Sequence, residues 1–234
     1  MSRDVNHENF EEWNEEMIRR FDPERYHEHP SPLVRFIERR RVSTIIDLLG
    51  ARSSHRVLEV GCGAGNILEQ MPRGADLHGI DISDYILEKA RRRLGDRAKI
   101  VKADAEALPY ENSSIDRVYC SEVLEHVLSP GKVLAEMRRV VRPDGVVVVS
   151  VPNEGLIDRL KGILSYTGPL RRIVLGEDKD GYKSAEKMTD EWHLHHFTRE
   201  MLEREAGPSF VVRKMVAVPS RALPLRWVAQ LQPR

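Results

Sequence analysis

Three glycines alternate with small residues in Glu59-Val-Gly61-Cys62-Gly63-Ala-Gly65, where one apolar run ends and helix-forming residues follow. Glycine lets the chain turn tightly and lets a ligand approach the main chain. The N–H groups that open a following helix attract negative charge. A second acid, Asp81, ends the next apolar run, about the distance at which an acid meets ribose hydroxyls. Together these residues suit an adenosine-containing cofactor, against the plainer alternative of a tight turn with no ligand. A dinucleotide fingerprint wants glycine at 61, 63 and 66, and position 66 is Asn. On these residues alone NAD and S-adenosylmethionine (SAM) both stay open.

Two further clusters could do proton or metal chemistry. Glu122-x-x-Glu125-His126 follows the fourth apolar run, and its i, i+3, i+4 spacing puts all three side chains on one face if the segment is helical. His193-Leu-His195-His196-Phe-Thr precedes a late helical stretch. Carboxylates and imidazoles serve as general acids and bases, or hold a divalent metal that acidifies a hydroxyl. The bland alternative is a polar loop that orders itself.

The elements that must position these residues follow from the hydrophobic rhythm. Residues 5–50 read as two helical patterns, Phe10, Trp13, Met17, Ile18 and Phe21 in the first, broken by the prolines at 30 and 32, and Gly50 stops the second. Short apolar runs then recur at 56–61, 75–81, 98–104, 115–120 and 145–151, with helical stretches at 66–70, 83–94 and 131–141 between most of them. Such alternation predicts a parallel sheet with right-handed crossovers. The rhythm stops after Pro152 and resumes with a helix at 198–206, where Thr198 can cap the first turn, and two strands at 210–218 and 225–231 joined as a hairpin. The expected fold is α/β: a Rossmann-like, seven-stranded, mostly parallel sheet with helices on both faces and an antiparallel last strand. An N-terminal helical arm or cap is expected over 1–52. The remaining domain, 53–234, carries a helical insertion, 153–192, before the last helix.

Composition narrows the class. The chain has 234 residues, 37 Lys+Arg and 37 Asp+Glu, so its formal net charge is zero, without the basic excess of a protein that coats nucleic acid. Two cysteines make no disulfide framework. The opening MSRDVNHENFEEWNEE lacks the apolar region of a secretory signal, and no run of 18 apolar residues occurs, so the expected location is the cytoplasm.

The segments VLEVGCGAGN, GIDIS, KADAEALPYENSSIDRVYCSEVLEHV and MRRVVRPDGVVVVSVPN resemble the successive motifs of class I SAM-dependent methyltransferases, the broad group that holds the ubiquinone and menaquinone methyltransferases. The resemblance covers about 56–153 and speaks for fold and cofactor more than for substrate. It implies that Glu59, Gly61, Cys62, Gly63 and Gly65 surround the methionine part of SAM. It implies that Asp81 takes the ribose hydroxyls and that Ile82 packs on adenine. Asp104, with Ala105 beside it, would bond the adenine amino group, and Ser121 and Glu122 would face the sulfonium and the acceptor.

In such a reaction the acceptor atom must lie in line with the methyl group, about 3–3.5 Å away, with water excluded. A base matters when the acceptor is a weakly acidic hydroxyl. His126, Glu122 and His195 are the candidate catalytic residues, with His193 an alternative imidazole. The Glu122/Glu125/His126 pattern with a distant His also resembles the metal site of small-RNA 3′-end 2′-O-methyltransferases, which leaves a divalent metal open. In the insertion, Leu156, Ile157, Leu160, Ile163 and Leu164 form one stripe with basic residues around it. It reads as a lid helix or, over 156–172, as a peripheral membrane contact. The expected function is methyl transfer from SAM, leaving S-adenosylhomocysteine (SAH), to a small-molecule O-acceptor of aromatic, quinone-like or lipid type. The alternatives are a metal-assisted RNA methyltransferase, a non-catalytic SAM-binding partner subunit and, last, a dehydrogenase. The oligomeric state is not legible.

Overall fold

The computed structural model describes residues 5–22, 31–165 and 191–234, without the side chains of 161–165. Helix α1 is Phe10–Phe21 and α2 is Pro32–Leu49. Proline at the first turn of α2 costs no hydrogen bond, and Gly50 ends the helix in the left-handed region with φ +55. All five apolar residues of the predicted first stripe are buried.

Seven strands form one sheet in the order β3-β2-β1-β4-β5-β7-β6. They are β1 Arg56–Val60, β2 Asp76–Asp81, β3 Ala98–Lys102, β4 Ile115–Ser121, β5 Val141–Pro152, β6 Phe210–Ser220 and β7 Leu223–Pro233. β1 to β5 pair in parallel, while β7 runs antiparallel to both β5 and β6. The predicted antiparallel last strand is therefore present. The α-helices that follow are α3 Asp84–Leu94, α4 Pro130–Val140, α5 Glu154–Ser165 and α6 Arg199–Ala206. The Ser83 hydroxyl accepts from the Ile86 N–H and the Thr198 hydroxyl from the Met201 N–H, so α3 and α6 each start on a side-chain cap.

Strand periodicity sends neighbouring residues to opposite faces. Leu58, Val118, Val147 and Val149 pack under α4 and α6. Val57, Leu77, Tyr119 and Val148 pack under α2 and α3. A sheet covered on both faces explains why its central strands read as near-continuous apolar runs. Helix α1 packs on the α3 side of the molecule through a separate cluster, against Ala64, Ile86 and Trp192.

The stretch expected as a helix at 66–70 is only one 3-10 turn, Leu68–Gln70. Pro72 forces Met71 into an extended conformation, φ −68 and ψ 157, so the chain has too few residues after Gly65 to propagate a helix. The segment at 122–126 is also a turn and not a helix: the His126 N–H donates to the Val123 carbonyl at 2.9 Å, and Glu122 sits at φ +55. β5 is longer than its valine run because 141–145 continue the strand across an irregularity opposite β4. Of the insertion, 166–190 lies outside the described residues, as does the 166–172 part of the proposed membrane contact.

Candidate active site

The C-terminal ends of β1, β2 and β3 carry the glycine turn, Asp81 and Asp104. Gly61, Gly63 and Gly65 have φ of +71, +50 and +78, a region that favours glycine. A Cβ on Gly61 would come within 2.3 Å of Val123 Cγ2, and one on Gly65 within 2.7 Å of Leu94 Cδ1. On Gly63 the nearest atom would be Ile86 Cγ1 at 4.0 Å, so this face of the turn is open. The Gly63 N–H donates to Asp81 Oδ2 at 3.0 Å, and the Ser83 N–H to Asp81 Oδ1 at 3.1 Å. Asp81 thus ties the turn to the start of α3, while each oxygen keeps a second lone pair for a ligand hydroxyl. Burial pushes the Asp81 carboxyl above its usual range despite these bonds.

Glu59 and Cys62 lie behind the turn. Glu59 is buried on the β1 face shared with Val57, and accepts from the Tyr119 hydroxyl at 2.9 Å. Burial pushes its pKa up to about 8. The Cys62 thiol is buried, which raises its pKa well above the ordinary value and leaves it inert. Ile82 and Asp104 line one cavity of about 290 Å³, with Phe10 of α1 across from them. Asp104 is exposed and holds its own loop by accepting from the Glu106 N–H at 2.8 Å, and Ala105 beside it is buried. An open backbone turn, a pre-oriented acid and a cavity of mixed apolar and charged lining with a further acid fit an adenosyl group. The single 3-10 turn after Gly65 lacks the long helix N-terminus that a dinucleotide pyrophosphate wants.

The ends of β4, β5 and β7 carry a different arrangement. Ser121 bonds Arg41 of α2, and its hydroxyl lies 3.1 Å from that of Ser150. The Ser150 hydroxyl donates to Glu122 Oε1 at 2.9 Å, and Arg226 Nε lies 2.5 Å from Glu122 Oε2. Arg41 is buried and pairs with Glu38 at 2.6 Å. Burial works against its charge, but Glu38, with Glu122 and Glu125 beyond, holds the guanidinium pKa above its ordinary value.

Beyond this network Glu125, His126 and His193 come together, with potential ligand atoms all within 4.8 Å of one another. Glu125 is buried and its Oε2 has no hydrogen-bond partner among the described residues. Burial, with Glu122 nearby, pushes its carboxyl well above the usual range. Burial, then His193, drives His126 well below the usual imidazole value, so it is neutral. His126 Nδ1 lies 3.3 Å from the Trp192 carbonyl. His193 Nδ1 bonds Glu154, the buried first residue of α5, whose other oxygen lies 2.8 Å from His196 Nδ1. With Nδ1 so engaged, His193 is left with Nε2 to present. His195 is placed otherwise: its Nε2 lies 2.9 Å from the Val127 carbonyl, a tie to the loop. His193, not His195, is therefore the late histidine beside His126.

Sequence reasoning missed Arg41, Ser150, Glu154 and Arg226. For Arg41 a signal existed: Glu38 and Arg41 share the buried stripe of α2 with Val42 and Ile45, and a charged pair there needs a reason. Glu154 and Arg226 carry no such signal, because their partners lie 39 and 104 positions away.

Residues 58–149 match the family model described as a methyltransferase domain. The ubiquinone biosynthesis O-methyltransferase of Nitrosomonas europaea is 36% identical over 141 residues, 58% of this chain and 60% of that protein. The ubiquinone/menaquinone biosynthesis C-methyltransferase of Hahella chejuensis is 30% identical over 151 residues, 59% of this chain and 61% of that protein. The aligned stretches span 34 to 61% of the length of the first curated relatives. The same fold appears in a putative methyltransferase solved in complex with the Haloferax volcanii Trm112 methyltransferase activator, with a TM-score of 0.66 at 13% identity, covering 98% of this chain and 97% of that one. On the glycine turn, the strand order and these matches, residues 58–149 form a methyltransferase domain of the class I SAM-dependent kind.

Proposed function

We propose that this protein transfers the methyl group of SAM to a small-molecule acceptor, at an oxygen of an aromatic, quinone-like or lipid molecule. The observation that carries the reading is the Gly63 N–H bond to Asp81, which holds an open glycine turn and a ligand-ready acid in one rigid unit. Bound SAM supplies an already activated methyl group. Asp81 accepts from the ribose hydroxyls, Ile82 and Ala105 flank the adenine, and Asp104 accepts from its amino group. The turn from Gly61 to Gly65 follows the methionine part, with Glu59 and Cys62 shaping it from behind. Arg41 is the buried cation at this edge and suits the cofactor carboxylate, with Ser121 between it and Glu122.

His126 and His193 stand where a proton could leave the acceptor. A neutral imidazole can take it, and Glu154 fixes the ring of His193. The acceptor class draws support from the relatives named as ubiquinone biosynthesis methyltransferases. A cytoplasmic location with peripheral membrane contact over 156–172 suits a lipid-soluble acceptor, and no described helix is long and apolar enough to cross a membrane.

The test is calorimetric titration with SAH and NAD, followed by transfer of labelled methyl from SAM to a panel of catechols and demethylated quinols. SAH binding with NAD exclusion and methylated phenol is the expected result. NAD binding without SAH binding would overturn the cofactor. Tight SAH binding with no transfer to any acceptor would favour a non-catalytic partner subunit.

A second reading rests on the buried Glu125 Oε2, which has no hydrogen-bond partner among the described residues, beside His126 and His193. These three residues suit a divalent ion that would acidify an acceptor hydroxyl. Activity abolished by chelation and restored by Mg²⁺ or Zn²⁺ would establish it, and activity on RNA 3′ ends under those conditions would replace the small-molecule acceptor.

A further inference from the structure

Helix α1 turns its apolar stripe toward the glycine turn and α3, where Phe10, Trp13 and Phe21 pack with Ala64, Ile86 and Trp192. Polar contacts fasten its rim. Glu11 meets Lys102 at 2.7 Å, Asp22 meets Lys89 at 2.7 Å, Glu15 bonds the Ser83 hydroxyl, and Asn14 accepts from the Trp192 indole at 3.2 Å. Lys102 ends β3, two positions before Asp104, and also pairs with Asp84 at 2.6 Å. The cavity of about 290 Å³ lies at this seam, with His7, Phe10 and Glu11 on one side and Ile82, Asp104 and Leu128 on the other. Phe10 is 9% exposed and lines this cavity, so a large, well-held ring forms part of its wall.

We propose that α1 is a wall of the adenine pocket, with the Phe10 ring against the base opposite Ile82, so that cofactor binding and docking of this helix are one coupled event. The inference rests on the cofactor reading above. A flat aromatic ring and a purine stack favourably. The Glu11–Lys102 contact closes the helix onto β3 next to the acid assigned to the adenine amino group. A ligand that contacts only the docked helix stabilises docking by its differential affinity. The adenine half of the cofactor, not its amino-acid half, should therefore govern α1.

The experiment uses the full chain and three probes: SAH, 5′-methylthioadenosine, which lacks the amino-acid tail, and L-methionine. Hydrogen exchange in α1 should slow at least about tenfold with SAH and with 5′-methylthioadenosine, and stay unchanged with methionine. Phe10→Ala should raise the Kd for SAH roughly tenfold, while Phe10→Tyr keeps it within about twofold. Unchanged α1 exchange at saturating SAH would overturn the proposal even if Phe10→Ala fails to fold. So would a folded Phe10→Ala protein that binds SAH as the wild type does. Asp81→Ala separates the two levels. If the wild type binds SAH, Asp81→Ala does not, and α1 is indifferent, the helix wall falls and the cofactor reading stands. If the wild type binds no SAH, both fall.

Discussion

The two halves of the strand-end site are built by different means. At the ends of β1 and β2 the main chain does most of the holding: Cys62 N–H donates to the Ile80 carbonyl at 2.8 Å and Gly65 N–H to the Cys62 carbonyl at 2.9 Å, with one side chain, Asp81, accepting from Gly63 N–H. At the ends of β4, β5 and β7 the contacts run between side chains from five separate segments: Arg41 to Ser121, Ser150 and Arg226 to Glu122, Glu154 to His193. A main-chain turn fails through local backbone geometry and sterics. A side-chain network fails through lost charge partners or through undocking of a distant segment. On the proposed function, the first design suits an invariant ligand such as the cofactor, and the second can be retuned for the acceptor without disturbing it.

The largest expected effect tests the main-chain half. Gly61→Val meets both a left-handed φ and Val123 at 2.3 Å, and should cost about 3 kcal/mol or more of stability in urea denaturation. Gly63→Val has open space and only the φ penalty, about 1–2 kcal/mol, yet should abolish SAH binding by filling the cradle. Equal stability of Gly61→Val and wild type would break the contrast between the halves. Next in size, Asp81→Ala should lower SAH affinity about 100-fold in calorimetry, through lost bonds to the ligand and a loosened turn.

The side-chain half should respond in turnover instead. His126→Ala and Glu154→Ala should each lower kcat about 100-fold while leaving the SAH Kd within about twofold. Their double variant should fall well short of the product of the two, because both act through one cluster. Full additivity would show that Glu154 and His126 serve separate ends.

The smallest effect is in pH. Glu59 is neutral in the fold up to about pH 8, whereas in the unfolded chain it ionises near its ordinary value of 4.5. Its stability contribution is complete below that lower value and lost as pH rises toward 8, because only the unfolded chain has released the proton. The Tm of the cofactor-free protein should therefore decline across this window, and Glu59→Gln should flatten the decline. A Tm profile identical in both proteins would remove Glu59 from the account.

By itself the sequence determined the sheet, its helices on both faces, the antiparallel β7 and the glycine turn, because each depends on residues close in the chain. Strand runs, the cap at Thr198, and glycines at 61, 63 and 65 state their geometry locally. Only the tertiary structure decided that a proline cuts the helix after Gly65 to one turn, and that 122–126 turns instead of forming a helix. It also decided that His193 stands beside His126 while His195 ties down a loop, and that Arg41, Glu154 and Arg226 reach the site. The physical reason is separation: these side chains meet across 39 to 104 positions, and what brings them together is packing of helices on a sheet, which no local pattern of residues encodes.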